Sequence, residues 1–213
     1  MPRKDVRVVK SMDGSALDIG GIRVLPGLLD RAAQEALADE VRSIAHAAPF
    51  AVQTTRRGQA LSVRMTAAGA FGWTSDRRGY RYEPRQPSGA PWQPIPPRIR
   101  AVWDAVAPEA RPPESCLVNW YGPGARMGMH QDRDEGDMSQ PVVSISLGWD
   151  ALFRVGGTER GGKTRSVWLR SGDVAVMGGP ARLVHHGVDR IVEGAWTPLD
   201  TPGRINLTLR VVT

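Results

Sequence analysis

The sequence predicts an α+β fold in which a helix precedes a run of short strands arranged as a sandwich or jelly roll. Asp30 is suited to cap a helix in "DRAAQEALADEVRSIAHAAP", where Leu37, Val41 and Ile44 recur at helical spacing. From Ser115 onwards the chain is rich in β-forming residues and is divided by Gly and Pro turns. The α+β assignment rests on this order, with the helix first and the strands afterwards.

The other elements follow from local composition. Residues 22–29, "IRVLPGLL", predict a short strand and a turn before the helix. A second short helix is predicted within "PPRIRAVWDAVAPEA" and ends near Pro108. The preceding stretch, "EPRQPSGAPWQPIPPRI", is too rich in proline for a regular element. The later strands are predicted in four segments: "SCLVNWYGPGARMGMHQD", "PVVSISLGWDALFRVGG", "RSVWLRSGDVAVMGG" and "GRINLTLRVVT".

The size of the chain suits one compact core, because 213 residues include 41% hydrophobic side chains. We therefore expect a single domain over residues 1–213. Within it we expect a strand and helix extension over residues 1–50, a connecting segment over 51–100 and a strand-rich core over 101–213. No internal repeat interrupts this organisation.

Two features of the sequence predict a cytoplasmic protein without a membrane segment. No apolar run reaches the roughly 20 residues of a membrane-spanning helix, and the start, "MPRKDVRVVKSMDG", lacks the apolar region of a secretory signal. The single cysteine, Cys116, cannot form an internal disulfide, which favours a reducing compartment.

The positive charge is concentrated in the first half of the chain. Residues 1–100 hold 16 basic and 9 acidic side chains, whereas residues 101–213 hold 12 and 13, within a net charge of +6. Residues 56–85 contain seven arginines, with aromatic residues between them. Arginine for phosphate and aromatic rings for bases are typical of single-strand nucleic-acid binding. The alternative is a hairpin whose aromatic rings pack on the core and whose arginines are solvated.

His130 and Asp132 are candidate metal ligands, because residues i and i+2 of an extended segment point to the same side. The alternative is a His–Asp hydrogen bond on a surface turn. Of the two later histidines, His185 and His186, only one can point inward from an extended segment. Two histidines and one carboxylate are typical of non-haem Fe(II) oxygenases and fit zinc less well. His46 is better explained by its place near a helix end.

The last predicted strand, "GRINLTLRVVT", has one polar and one apolar face. Arg204, Asn206, Thr208 and Arg210 share the polar face by parity, and the residues between them are apolar. If the polar face is exposed to water, it has no special role. If it faces the interior, the two arginines need anionic partners, and a dicarboxylate matches them. Next to a metal with open positions, such a dicarboxylate indicates 2-oxoglutarate.

Four segments resemble the AlkB-type Fe(II)/2-oxoglutarate dioxygenases of the bacterial DNA-repair kind: "NWYGPGARMGMHQDRDE", "SISLG", "GDVAVMGGPARLVHHGV" and "RINLTLR". The resemblance covers roughly residues 61–210 in the same order and with close spacing. It implies a double-stranded β-helix, a jelly-roll variant. It also implies that His130, Asp132 and His186 bind Fe(II) and, with Arg210, form the catalytic centre. The residues implied to bind 2-oxoglutarate are Arg204, Arg210, Asn119, Tyr121 and Asn206.

"FGWTSDRRGYRY" resembles the nucleotide-recognition lid of this family and lies within residues 51–100. The resemblance implies that Trp73 stacks on the damaged base and that Asp134 lies beside the exocyclic nitrogen of that base. The other implied substrate contacts are Met65, Tyr80, Tyr82, Arg133 and Arg160, and Glu135 is expected to face the nucleotide as well. The chain departs from the family pattern at two pocket positions: Met177 stands in place of a tryptophan, and His185 in place of a tyrosine.

The resemblance implies oxidative demethylation of 1-methyladenine and 3-methylcytosine in DNA. Fe(II), 2-oxoglutarate and O2 are the expected cofactors and co-substrates, and formaldehyde, succinate and CO2 the expected products. Single-stranded DNA is the expected partner, with double-stranded DNA or RNA as further candidates, and a monomer is expected. Two alternatives stay open: a 2-oxoglutarate oxygenase acting on RNA or protein, and a non-catalytic module that binds nucleic acid.

Overall fold

A computed structural model of the protein describes residues 7–8, 15–194 and 196–213. Residues 1–6 and 9–14 of the predicted extension lie outside the described residues. The helices are α1 (Arg31–Ala47) and α2 (Pro97–Val106). The strands are β1 (Arg7–Val8), β2 (Leu17–Ile19), β3 (Ile22–Leu25), β4 (Ala51–Thr54), β5 (Ala60–Gly69), β6 (Gly72–Asp76), β7 (Gly79–Glu83), β8 (Ser115–Tyr121), β9 (Met127–His130), β10 (Val142–Gly148), β11 (Asp150–Val155), β12 (Arg165–Leu169), β13 (Val174–Met177), β14 (His186–Val192) and β15 (Arg204–Arg210).

Two sheets pack face to face and form the predicted jelly roll. The larger sheet has the order β2-β3-β13-β10-β15-β8-β5-β4, and the smaller has the order β1-β12-β11-β14-β9. One apolar core joins them, for example through Val63 and Leu117 of the larger sheet and Val167 and Leu169 of the smaller. This α+β architecture, with mainly antiparallel sheets, confirms the predicted fold class.

Both helices cover the outer face of the larger sheet, where a second apolar core lies. The predicted cap of α1 is confirmed, because a side-chain oxygen of Asp30 accepts a hydrogen bond from the Ala33 amide at 2.8 Å. The buried carboxylate of Glu40, on α1, accepts hydrogen bonds from the Arg98 and Ile99 amides at 3.1 and 3.0 Å. The start of a helix has free backbone amides and a partial positive charge. The Glu40 carboxylate binds these amides at the start of α2 and thereby holds α2 against α1.

The larger sheet extends beyond the predicted strand-rich core of residues 101–213. Strands β2 to β5 belong to it, and β5 pairs with β8 from Val63 to Gly69. The predicted boundary at residue 101 is therefore wrong for the sheet. The physical reason is that β5 joins the sheet by pairing with β8, a strand that lies far from it in the sequence. The separate two-stranded sheet formed by β6 and β7 is named the lid hairpin below.

Two further features concern the environment of the chain. Cys116 lies on β8 with its side chain fully buried, and burial raises the pKa of its thiol to about 12. At neutral pH this thiol is protonated and shielded from solvent. Within the described part of the chain, no helix is both long and apolar enough to cross a membrane.

Candidate active site

A cavity of about 1270 Å³ opens between the two sheets, beneath the lid hairpin. Every site residue predicted from the sequence lines it, so the structure brings together side chains that lie up to 145 positions apart, from Met65 to Arg210. These residues are Met65, Trp73, Tyr80, Tyr82, Asn119, Tyr121, His130, Asp132, Arg133, Asp134, Arg160, His186, Arg204, Asn206 and Arg210. Their placement is as predicted, while their individual roles stay proposals.

The three candidate metal ligands converge at one point of the cavity. His130 ends β9 and His186 begins β14, and the two residues are direct partners in the sheet, so their side chains share a face. The Nε2 atoms of His130 and His186 lie 3.6 and 3.8 Å from the two carboxylate oxygens of Asp132. One donor atom from each residue lies within 4.8 Å of the others. A metal about 2 Å from each donor fits this spacing.

Backbone carbonyls orient both imidazoles toward the metal position. His130 Nδ1 lies 2.9 Å from the Gly128 carbonyl oxygen, and His186 Nδ1 lies 3.1 Å from that of Val184. A proton on each Nδ1 would donate to the carbonyl, which leaves the Nε2 lone pair for a metal. Burial lowers the pKa of His186 to about 4, so this ring is neutral at pH 7.

Asp132 is buried and anionic at neutral pH. Burial alone would raise its pKa, but Arg210, His186 and His130 together outweigh burial and hold the pKa well below its usual range. The closest of these partners is Arg210, whose Nη2 donates to Asp132 Oδ2 at 2.8 Å. The donor set of two imidazole nitrogens and one carboxylate therefore fits Fe(II) and leaves its other coordination positions free.

The inward arginines of β15 differ in their partners. The predicted parity is confirmed, because Arg204, Asn206, Thr208 and Arg210 line the cavity while the residues between them join the core under the helices. Arg210 is paired with Asp132 and lies 3.2 Å from Glu135, and its Nη1 has no hydrogen-bond partner among the described residues.

Arg204 is 1% exposed and has only neutral partners. Its guanidinium donates to Ser146 Oγ at 2.8 Å and to the carbonyl oxygens of Trp149 and Leu169 at 3.3 and 3.4 Å. Its Nε has no hydrogen-bond partner within the described ranges, and burial lowers its pKa. A buried cation whose hydrogen-bond acceptors are all neutral fits one end of a dicarboxylate such as 2-oxoglutarate.

The polar residues beside the arginines are only partly satisfied. Asn119 Oδ1 is buried without a hydrogen-bond partner among the described residues, and the Tyr121 hydroxyl has only the sulfur of Met127, at 3.6 Å. Both groups are thus available to a ligand. The amide nitrogen of Asn206 instead donates to Ser144 Oγ and the Ile145 carbonyl oxygen, at 2.7 and 3.1 Å. Asn206 therefore supports the floor of the cavity.

The lid hairpin covers the cavity with aromatic rings. Trp73 and Tyr80 are stacked, with ring centroids 5.5 Å apart, and Tyr80 is 45% exposed. The indole nitrogen of Trp73 donates to Asp134 Oδ2 at 3.1 Å, which places this carboxylate under the indole. The two departures from the family pattern also border the cavity, Met177 as a buried residue and His185 with Nδ1 3.1 Å from the Gly157 carbonyl oxygen.

Some functional candidates were missed or misplaced by sequence reasoning. Glu135 was expected to face a nucleotide; it borders the cavity, but its side chain is 2% exposed and paired with Arg182 and Arg210. Arg182 was not considered, although an arginine four residues before a metal-ligand candidate in an apolar stretch is an unusual feature. Arg56 and Arg126 also line the cavity without an ion pair within the described ranges.

Comparisons with known proteins agree with this geometry. Residues 21–210 match the family model of the 2OG-Fe(II) oxygenase superfamily. The chain is 53% identical over 193 residues to the alpha-ketoglutarate-dependent dioxygenase AlkB homolog of Caulobacter vibrioides (strain NA1000 / CB15N), covering 90% of this chain and 88% of the relative. It is 40% identical over 184 residues to the alpha-ketoglutarate-dependent dioxygenase AlkB of Escherichia coli (strain K12), covering 84% of each. The structure of OsALKBH1 matches with a TM-score of 0.74 at 31% identity, covering 91% of this chain and 97% of that one.

Proposed function

Because this chain belongs to the 2OG-Fe(II) oxygenase superfamily as an AlkB-type member, we propose that it demethylates 1-methyladenine and 3-methylcytosine in DNA, preferably single-stranded. Family membership makes the protein a dioxygenase that uses Fe(II), 2-oxoglutarate and O2. The substrate base and the preferred strand are our proposal. If RNA or protein were the substrate instead, the cofactors would be the same and only the molecule that enters the cavity would differ.

The observation that carries the proposal is the pairing of Trp73 with Asp134 at the cavity mouth. An indole offers a flat surface for a base, and Asp134 stands two residues beyond Asp132 of the candidate metal site. Bases methylated at N1 of adenine or N3 of cytosine are cationic and carry an exocyclic amino group. A carboxylate at this position attracts the charge and accepts a hydrogen bond from the amino group.

We propose that His130, Asp132 and His186 hold the iron and that Arg204 and Arg210 hold the two carboxylates of 2-oxoglutarate. Bound iron, with 2-oxoglutarate and O2, would supply hydroxylation of the N-methyl carbon, with succinate and CO2 as the other products. The hydroxymethyl group would then leave as formaldehyde with loss of its hydroxyl proton, and the base nitrogen would recover its lone pair. The side chains of this protein bind and orient. Arg204 places the co-substrate from the cavity floor, and Arg210 holds Asp132 in its ionised form.

The proposed strand preference rests on the burial of two of the candidate metal ligands, Asp132 and His186. A base must leave its stack to reach His130 and His186, and unpairing costs a few kcal/mol in a duplex but little in a single strand. Four cavity-lining arginines, Arg56, Arg126, Arg133 and Arg160, have no ion pair within the described part of the chain. Free guanidinium groups around the cavity are suited to the phosphates that flank an inserted base.

Formaldehyde release from methylated oligonucleotides tests the proposed function. We expect release from single-stranded DNA carrying 1-methyladenine or 3-methylcytosine to be at least about tenfold faster than from the same strand in a duplex, because of the cost of unpairing. Mass spectrometry of the oligonucleotide should show loss of one methyl group for each lesion. Unmethylated DNA is the control, and methylated RNA and a methylated peptide are the competing substrates. Release from the peptide with none from either nucleic acid would refute the proposal.

The salt dependence of binding tests two of the four unpaired arginines, Arg56 and Arg126. Each phosphate contact on a single strand contributes about 0.7 to the slope of log affinity against log salt concentration. We therefore expect Arg56→Ala and Arg126→Ala each to reduce this slope by roughly 0.7, measured by fluorescence anisotropy on single-stranded DNA. Arg100→Ala is the matched control, because Arg100 is paired with Asp104 on α2 and does not line the cavity. Equal slopes in all three variants would exclude these phosphate contacts.

A further inference from the structure

The lid hairpin is attached to the chain segment that follows Asp132. Trp73 and Tyr82 are direct partners in the hairpin, so their side chains project from the same face. Trp73 reaches Asp134, and the Tyr82 hydroxyl donates to Glu135 Oε1 at 2.5 Å. Two neighbouring acidic residues thus accept hydrogen bonds from two of the three aromatic side chains of the lid.

Glu135 continues this attachment into the interior. Its Oε2 accepts a hydrogen bond from Arg182 Nη2 at 2.9 Å, and its Oε1 lies 3.2 Å from Arg210 Nε. A buried carboxylate requires such partners, since an unpaired charge would be strongly destabilising. Within the described residues, Glu135 is the side chain that contacts both the lid, through Tyr82, and the arginine that holds Asp132.

Arg182 uses all three nitrogens of its guanidinium to hold the same segment. Besides Glu135, it donates to the carbonyl oxygens of Asp132 at 2.5 Å and Gln140 at 2.8 Å. These bonds attach both ends of the loop formed by residues 132–140. Because Arg182 precedes His186 by four residues, it also connects this loop to the segment that carries the second histidine.

We propose that Glu135 and Arg182 form a positioning pair, through which closure of the lid hairpin and the placement of Asp132 and Arg210 depend on each other. When Tyr82 bonds to Glu135, the carboxylate is held where it also restrains Arg210 and thereby Asp132. Loss of the tyrosine bond leaves Glu135 Oε1 with Arg210 alone. Coupling of this kind is reciprocal, so occupancy of the metal and co-substrate site must also shift the lid equilibrium toward the closed state.

The proposal depends on the binding of metal and 2-oxoglutarate and not on the identity of the nucleic acid. It can therefore fail while the proposed demethylation holds, and the reverse is also true. The test uses the full chain with Mn(II) and 2-oxoglutarate, in the absence of nucleic acid. Hydrogen exchange of the amides of residues 72–83 reports opening of the lid, and calorimetric titration reports the affinity for 2-oxoglutarate.

We expect Mn(II) with 2-oxoglutarate to slow exchange of the lid by about fivefold or more in the unmodified protein. Tyr82→Phe should remove this protection and weaken 2-oxoglutarate binding by a similar factor, because it lacks only the hydroxyl that bonds to Glu135. Thr74→Val is the matched control: it removes a hydroxyl of the lid hairpin that bonds to Gln53 Oε1 at 3.4 Å, not to Glu135, and that does not line the cavity, so protection and affinity should match those of the unmodified protein.

A Tyr82→Phe protein with normal protection of the lid and normal affinity for 2-oxoglutarate would overturn the proposal. Glu135→Gln provides a second variant of nearly the same shape. Its amide oxygen can accept one bond but cannot replace the charge between Arg182 and Arg210, so we expect lower affinity and reduced protection. If this variant does not fold, Tyr82→Phe alone decides the question, because that change removes a single hydroxyl.

Discussion

Asp132→Ala is expected to abolish the turnover of 2-oxoglutarate that Fe(II) supports without nucleic acid. Asp132 is the single carboxylate among the three converging donors, and its oxygens lie 3.6 and 3.8 Å from the Nε2 atoms of the two histidines. Removal of an outer-shell partner of a metal commonly costs about 10- to 100-fold in metal affinity or activity, so loss of a direct ligand should cost more than about 100-fold. Succinate formation is the measurement.

The control for this variant must separate loss of a ligand from loss of the fold. Asp189→Ala alters an aspartate on β14, the strand that begins with His186, where an exposed ion pair with Arg154 is removed. Such a pair is worth about 0–1 kcal/mol, so succinate formation should persist. Circular dichroism should show folded protein in both variants. Succinate formation at the normal rate by Asp132→Ala would show that the metal is held elsewhere.

Arg204→Met is expected to weaken binding of 2-oxoglutarate without reducing the stability of the ligand-free protein. Truncating one partner of a buried charge pair costs about 2–5 kcal/mol, which is roughly 30-fold or more in the dissociation constant. In the ligand-free protein, however, Arg204 is a buried cation whose hydrogen-bond acceptors are all neutral. An apolar side chain of similar length removes the cost of burying that charge.

Arg210→Met, in contrast, should lower the stability of the ligand-free protein, and it is therefore the comparison for Arg204→Met. Its guanidinium is held by Asp132 at 2.8 Å and Glu135 at 3.2 Å, and burying these carboxylates without it is expected to cost about 3–5 kcal/mol. Urea unfolding measures stability, and titration of the Mn(II)-loaded protein measures binding. An Arg204→Met protein with unchanged affinity for 2-oxoglutarate would exclude Arg204 as its partner.

The parts of this protein that could be predicted from sequence depend on local periodicity. A period of two along β15 was enough to separate Arg204 and Arg210 from the apolar residues between them. The spacing of Leu37, Val41 and Ile44 was enough to define the buried face of α1. In both cases one face of a regular element must be buried, and the spacing of the apolar residues in the sequence identifies that face.

The parts that could not be predicted depend on contacts between distant segments. Glu135 lies in a charged run that resembles a solvated turn, and its burial depends on Arg182, 47 residues later, and on Tyr82, 53 residues earlier. Likewise, β5 belongs to the main sheet because it pairs with β8, which no local pattern indicates. Residues that bind a ligand can therefore be predicted from the sequence more readily than the residues that hold them in position.

The burial of Cys116 has a practical consequence for spectroscopy. The only thiol of the chain is fully buried, and its pKa of about 12 leaves almost no thiolate at neutral pH, which is the form that reacts with maleimides. The natural sequence therefore serves as a background for single-site labelling. A cysteine introduced at the hairpin turn by Arg78→Cys would take up a fluorophore or spin label selectively. Distances from that label would record the population of open and closed conformers in solution.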